Sequence, residues 1–403
     1  MKTSLPPLLT ITEKNTPPVE LKGLPLLRLG FRPFYLGSAL LACLIVPLWV
    51  AVLLGFFELP LSGSPMLWHA HEMLFGFAGA VIVGFLLTAV KAWTGLATLR
   101  GAWLGAIVLV WLGARIAALL MPYPVHVVLD MLWLPAIAIV LLRVLVQAGN
   151  RRNIPLISLL VGMALVNLMF HLSMLGIVDL PALSCLHAQL ALILMVVCVM
   201  AGRVVPMFTQ NVTPGLTIKL SRRFELTVLS MTATALALWV LAAPAWLMLP
   251  TSMVTAALHA IRLRQWQPQV TLTRPILWIL HASYAWLPVG FAFLGLSQVG
   301  WLPSSLAVHA MGVGVVGGFI IGMITRTARG HTGRLLQVSR AEVLAYALVM
   351  VATMVRVVLP AFQPVWTITA IKASAGLWSL AFAIYLWIYT PWLMQTRVDS
   401  KDG

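Results

Sequence analysis

The sequence predicts an all-α polytopic membrane bundle of about twelve transmembrane helices, and three observations predict it. Of 403 residues, 61% are hydrophobic and only 9% charged, too few polar groups to cover a water-facing surface. Apolar runs near 20 residues recur along the chain, the length that crosses about 30 Å of hydrocarbon. Lysine and arginine gather on alternate connections between those runs.

The runs fall near 34–57, 68–90, 102–120, 126–146, 155–175 and 182–203, then near 224–241, 244–262, 275–296, 303–324, 340–359 and 366–390. Residues 1–33 read as a cytoplasmic N-terminal tail, 34–392 as a single transmembrane domain and 393–403 as a cytoplasmic C-terminal tail. The first tail carries Lys2, Lys14, Lys22, Arg28 and Arg32 and lacks the short apolar core that follows the basic start of a signal peptide. Trp68 and Trp93 bracket the second run as interfacial aromatics do.

The two tails and the connections 91–101, 143–154, 202–223, 262–274 and 325–340 together hold 23 Lys and Arg, and the six intervening connections hold none. Basic residues stay on the cytoplasmic side, so both termini are expected there. The net charge of +16 is then a topology signal and calls for no nucleic-acid partner. Cys43, Cys185 and Cys198 lie inside apolar runs without ligand-like spacing and read as packing residues.

That orientation sorts the nine histidines. His69, His71, His126, His171, His187 and His309 lie toward the outer ends of their runs, and His259, His281 and His331 toward the cytoplasm. A single membrane histidine is most simply a structural residue bonded to a carbonyl. Six near one surface are harder to explain one by one, because each ionisable group in a bilayer needs a partner.

The run WHAHEMLFG, Trp68 to Gly76, is the strongest local signal. His69 and His71 point roughly 200° apart on a helix, so they suit two centres rather than one. Glu72 can serve as counter-charge or proton relay, or simply form a buried ion pair with Lys372 or Arg356. It shares a face with Gly76 and Gly79, where a helix or a flat cofactor can come close.

The tenth run repeats the pattern as HAMGVGVVGGFIIGM from His309, and aligning His71 with His309 superposes Gly76 on Gly314 and Gly84 on Gly322. His187 falls 118 residues after His69 and 122 before His309. A histidine at the outer end of the second, sixth and tenth helices suggests three four-helix units about a pseudo-threefold axis. By analogy this is the layout of haem–copper oxidases, although fold does not fix function.

Neutral imidazole ligates haem iron and copper. His69, His71, His171, His187 and His309 are therefore candidate metal ligands, with His126 in reserve and Glu72 as the candidate catalytic proton carrier. Arg115, Arg356 and Lys372 lie in the outer half, placed either to meet haem propionates or to snorkel to the interface. The segment MITRTARGHTGR, Met323 to Arg334, ends the tenth helix as a basic turn with Gly330 and Gly333.

At these residues the chain resembles the NnrS family of bacterial membrane proteins, from about Leu24 to Trp392. WHAHEMLFGF, FLLTAV, WTG, GRVVPMFT, LHASYAWLPVG and TRTARGHTGR carry the resemblance; Ala92 departs from it, where the family's Asn is expected. The resemblance implies an inner-membrane protein with b-type haem and copper, tied to nitric oxide metabolism, denitrification and nitrosative stress. Its implied partners are the lipid bilayer, nitric oxide and an electron donor that the sequence does not identify.

The expected function is thus binding or reduction of nitric oxide near the outer face, in the manner of a nitric oxide reductase-like oxidoreductase. A polytopic transporter shares the twelve-helix layout, but Pro47, Pro135 and Pro288 form no matched pair of broken helices. A haem-delivery or sensor protein would use the same histidines with reversible binding.

Overall fold

The computed structural model describes residues 23–399. Twelve long helices carry the fold, and among the described residues there is no strand. In chain order they are α1 Phe31–Leu53, α2 Pro65–Thr94, α3 Gly101–Leu120, α4 Tyr123–Gln147, α5 Ile154–Met174 and α6 Ala182–Val212. The second half comprises α7 Arg222–Val240, α8 Ala245–Gln265, α9 Pro275–Gln298, α10 Ser304–His331, α11 Arg340–Phe362 and α12 Thr367–Met394.

Eleven of the twelve are long and apolar enough to cross a membrane. The remaining one, α8, has 21 residues, enough for about 30 Å at ~1.5 Å per residue. Its polarity is spent inward. Arg262 donates to Glu225 Oε1 at 3.0 Å, to Tyr284 Oη at 2.9 Å and to the Cys198 carbonyl at 3.1 Å. His259 joins Tyr284 at 2.6 Å and Thr232 at 2.9 Å, which makes it a structural residue.

Two helices outrun their apolar stretches. Residues 203–212 and 325–331, expected as connections, continue α6 and α10 as helix. Tertiary partners hold these extensions where apolarity ends: Arg203 donates to Asn153 at 2.9 Å, Thr209 meets His281 at 3.0 Å, and Arg326 lies 3.7 Å from the centre of the Phe208 ring. Gly330 is accordingly helical, and the turn falls at Gly333 with φ +77°.

Of the tail expected at 1–33, residues 1–22 lie outside the described ones, and residues 28–33 are buried. Arg32 is fully buried and donates to the carbonyls of Leu393 at 2.9 Å and Gln395 at 2.6 Å, tying α1 to the end of α12.

Consecutive helices from α3 to α9 pack in series, α12 lies between α11 and α1, and α6 touches α2, α9 and α10. The most apolar stretch is 78% buried in α2 and 72% in α10, against 28% in α3 and α7, so α2 and α10 are inner helices. Glycine permits their approach. A methyl group at Gly84 would meet Phe34 Cβ at 2.9 Å and Phe31 Cα at 3.3 Å.

The match between α2 and α10 extends to the backbone. Each has one π-helical segment directly after its histidine, Glu72–Ala78 after His71 and Ala310–Gly317 after His309. The Gly79 N–H donates to Leu74 O, and the Gly318 N–H to Val313 O. Such segments recur at functional sites, because the extra residue redirects a side chain.

Candidate metal centre

Four helices bring one buried polar cluster together beneath the loops that carry no Lys or Arg, here called the neutral face. α2 supplies His71 and Glu72, α3 supplies Arg115, α4 supplies Tyr123, His126 and Asp130, and α5 supplies Asn167 and His171. His126 and Asp130 stand four residues apart, as do Asn167 and His171, so each pair shares one helix face.

Asp130 sits at the middle. Its Oδ2 accepts from Asn167 Nδ2 at 2.8 Å and lies 3.2 Å from His171 Nε2 and 3.3 Å from His71 Nε2. Its Oδ1 accepts from Arg115 Nη2. Arg115 Nη1 reaches Glu72 Oε1 at 2.9 Å, and the same oxygen lies 3.3 Å from His71 Nδ1. Tyr123 Oη lies 2.9 Å from His171 Nδ1.

Two carboxyl groups thus face one guanidinium, which is always charged. All three are buried, where an unbalanced charge costs several kcal/mol. Glu72 Oε2 has no hydrogen-bond partner among the described residues. The cluster is therefore electrostatically suited to one more cation.

The ligand atoms of His71, His126, Asp130 and His171 all lie within 4.8 Å of one another. Tetrahedral ligation at ~2.1 Å sets donors about 3.4 Å apart, so side-chain movements of about an ångström close the set around an ion. His126 is oriented for this. Its Nδ1 donates to the Ala114 carbonyl at 3.0 Å, which leaves Nε2 with the free lone pair.

A small, half-open cavity reaches His71 and His126, and Ser62, Gly63, Met121 and Tyr123 also line it. It has room only for water-sized or diatomic groups, and its lining residues place it at the neutral face.

The other expected site residues lie elsewhere. The fold brings His126 and His171, not His187 or His309, to His71. His187 stacks on Trp239 with ring centres 4.3 Å apart. His69 faces away from His71 and stacks on Trp49 at 4.1 Å, with its Nδ1 buried and, among the described residues, without a partner. His309 Nδ1 donates to Ser305 O at 2.6 Å within its own helix. Arg115 neither snorkels nor waits for a propionate, because two carboxylates engage it. Glu72 pairs with Arg115 rather than with Lys372 or Arg356; Lys372 is exposed and Arg356 is 8% exposed.

Asp130, Asn167 and Tyr123 had no part in the sequence reading. Asp130 is one of ten acidic residues and stands inside an apolar run, which alone makes it a candidate. The spacings H-x-x-x-D at 126–130 and N-x-x-x-H at 167–171 are the local signals.

Fold and site together define a polytopic helical membrane protein with a buried histidine–carboxylate cluster able to hold a metal ion. The family described as NnrS protein matches residues 25–397, nearly the whole chain. The chain belongs to the NnrS family. No curated protein matches it.

Proposed function

We propose that this chain is an inner-membrane metalloprotein that holds a copper or iron ion on His71, His126, His171 and Asp130 and binds nitric oxide there. The observation that carries the reading is the convergence of three imidazoles and a carboxylate at the end of a cavity. Imidazole-rich sets suit copper and iron, and copper is the metal that the family resemblance shares with this donor set. The loop charges support a periplasmic position for the neutral face.

A bound copper or iron ion supplies an open coordination position and a change of redox state. The chain's own residues do the rest. The Ala114 carbonyl fixes the His126 tautomer, Tyr123 orients His171, and Asn167 holds the Asp130 carboxylate. Arg115 balances the acidic pair. Glu72, bonded to His71 through one oxygen and free at the other, is the group positioned to hold a proton beside the ligand. The resulting role is nitric oxide handling under nitrosative stress.

Haem is the other cofactor that the resemblance implies, and tryptophan rings cover part of the glycine faces that the sequence offered for it. Asp130 and Asn167 fill the middle of the cluster. On the glycine faces, the Trp286 ring covers Gly314 and that of Trp378 covers Gly317. The reading therefore rests on the metal ion alone.

The test is metal analysis of detergent-purified protein, followed by anaerobic addition of nitric oxide with optical and paramagnetic resonance detection. A bound transition metal whose signal changes with nitric oxide in the wild type, and is missing in Asp130→Ala, supports the reading. A metal-free wild type sinks it.

A further inference from the structure

A second polar site lies on the far side of α2 from His71. Arg356 on α11 is 8% exposed, and among the described residues it has no hydrogen bond or ion pair. It stands six residues before the end of α11 at Phe362, about 9 Å along the helix at ~1.5 Å per residue. The adjacent Val357 packs with Leu306 and Ala310 at the start of α10, which sets Arg356 against the turn that bears His309. His69 and His309 are both within electrostatic reach of the guanidinium.

A guanidinium cannot shed its proton in a protein. Buried in a membrane bundle without a counter-ion, it costs several kcal/mol. Neutral imidazoles do not compensate it. Lys372, the other outer-half cation, is exposed and needs no partner. Glu72 and Asp130, the buried acidic groups in the same half of the bundle, are engaged by Arg115. No acidic group among the described residues pairs with it, which leaves room for an anion from outside the chain.

The surrounding groups are arranged to receive one. His69 Nδ1 is buried and unpartnered, while its ring is held flat against Trp49 with the planes 20° apart. A guanidinium fork and an imidazole N–H together match an oxygen anion. We propose that Arg356 and His69 form a binding site for a small oxyanion or a carboxylate, separate from the metal cluster. The site does not depend on the metal reading, since His69 and His71 leave α2 on different sides.

Formate is the probe. Detergent-purified wild type in carboxylate-free buffer is expected to show a saturable formate-dependent rise in melting temperature. Arg356→Gln and His69→Phe, the latter keeping a ring against Trp49, should each weaken that response by about tenfold or more. With its unpaired charge removed, Arg356→Gln should melt no lower than anion-free wild type. Metal content measured on the same samples should stay at the wild-type level. A response that appears only after dialysis releases a carboxylate-bearing molecule identified by mass spectrometry also supports the site, and assigns it to a carried carboxylate. A formate response indifferent to both substitutions overturns the proposal, as does the lack of any response before and after dialysis. If Arg356→Gln does not purify as a monodisperse protein, His69→Phe alone decides.

Discussion

Arg115 on α3 donates to Glu72 on α2 at 2.9 Å, with both side chains almost wholly excluded from solvent. The same guanidinium engages Asp130 on α4, so one cation fastens three helices and offsets two acids. Removing one partner from such a group strands the others, at a cost of about 3–5 kcal/mol. Arg115→Ala is expected to lose stability on that scale and to lower the melting temperature in detergent. Arg115→Lys keeps the charge but not the fork, and should recover only part of it.

Tyr123→Phe tests the support of the metal ligands. The hydroxyl lies 2.9 Å from His171 Nδ1 and fixes that ring. Outer partners of this kind are worth about 10- to 100-fold in metal affinity. Competition against a chelator of known affinity should show a loss in that range, with little change in melting temperature of the metal-free protein.

The glycines of the inner helices supply a packing test with an internal control. Gly84→Ala would press on Phe34 and on the Phe31 backbone, and should cost about 1–3 kcal/mol. At Gly312 a methyl group meets nothing within 4 Å. Gly312→Ala should be neutral, or stabilising by up to about 1 kcal/mol. Chemical denaturation in mixed micelles compares the two.

At the opposite, basic face, Arg329 donates to Glu342 at 2.8 and 2.5 Å, and Tyr389 donates to the same carboxylate. Glu342 also closes the N-terminal capping box of α11 with Ser339. Glu342→Ala should destabilise by about 3 kcal/mol or more and leave metal content unchanged. Loss of metal in that variant would show that the cluster near the neutral face is not energetically separate.

The membrane class was legible because lipid permits so few architectures: long apolar runs and one-sided loop charge leave little else. The ends of α6 and α10 were less legible, since Asn153 and His281 hold α6, and Phe208 on α6 meets Arg326 on α10, through contacts that no run of residues announces. The site was half legible. His71 and Glu72 stood out in one motif, and the recurrence of histidines on α2, α6 and α10 pointed to a real likeness, seen in the paired π segments of α2 and α10. That same recurrence directed attention to His187 and His309. The fold set His187 against an indole and left His309 bonded within its own helix, while the partners of His71 came from α4 and α5. A helix that is apolar nearly all round carries little phase information, so its sequence does not say which way His126 or Asp130 turns. Two four-residue spacings, His126 to Asp130 and Asn167 to His171, were the only local marks.

The most direct test is the metal content of the purified wild type beside four single alanine variants. His126→Ala and His171→Ala should lose the bound ion, while His187→Ala and His309→Ala should keep it at the wild-type level. Metal retained by the first pair and lost from the second would contradict the cluster of His71, His126, Asp130 and His171 as the metal centre.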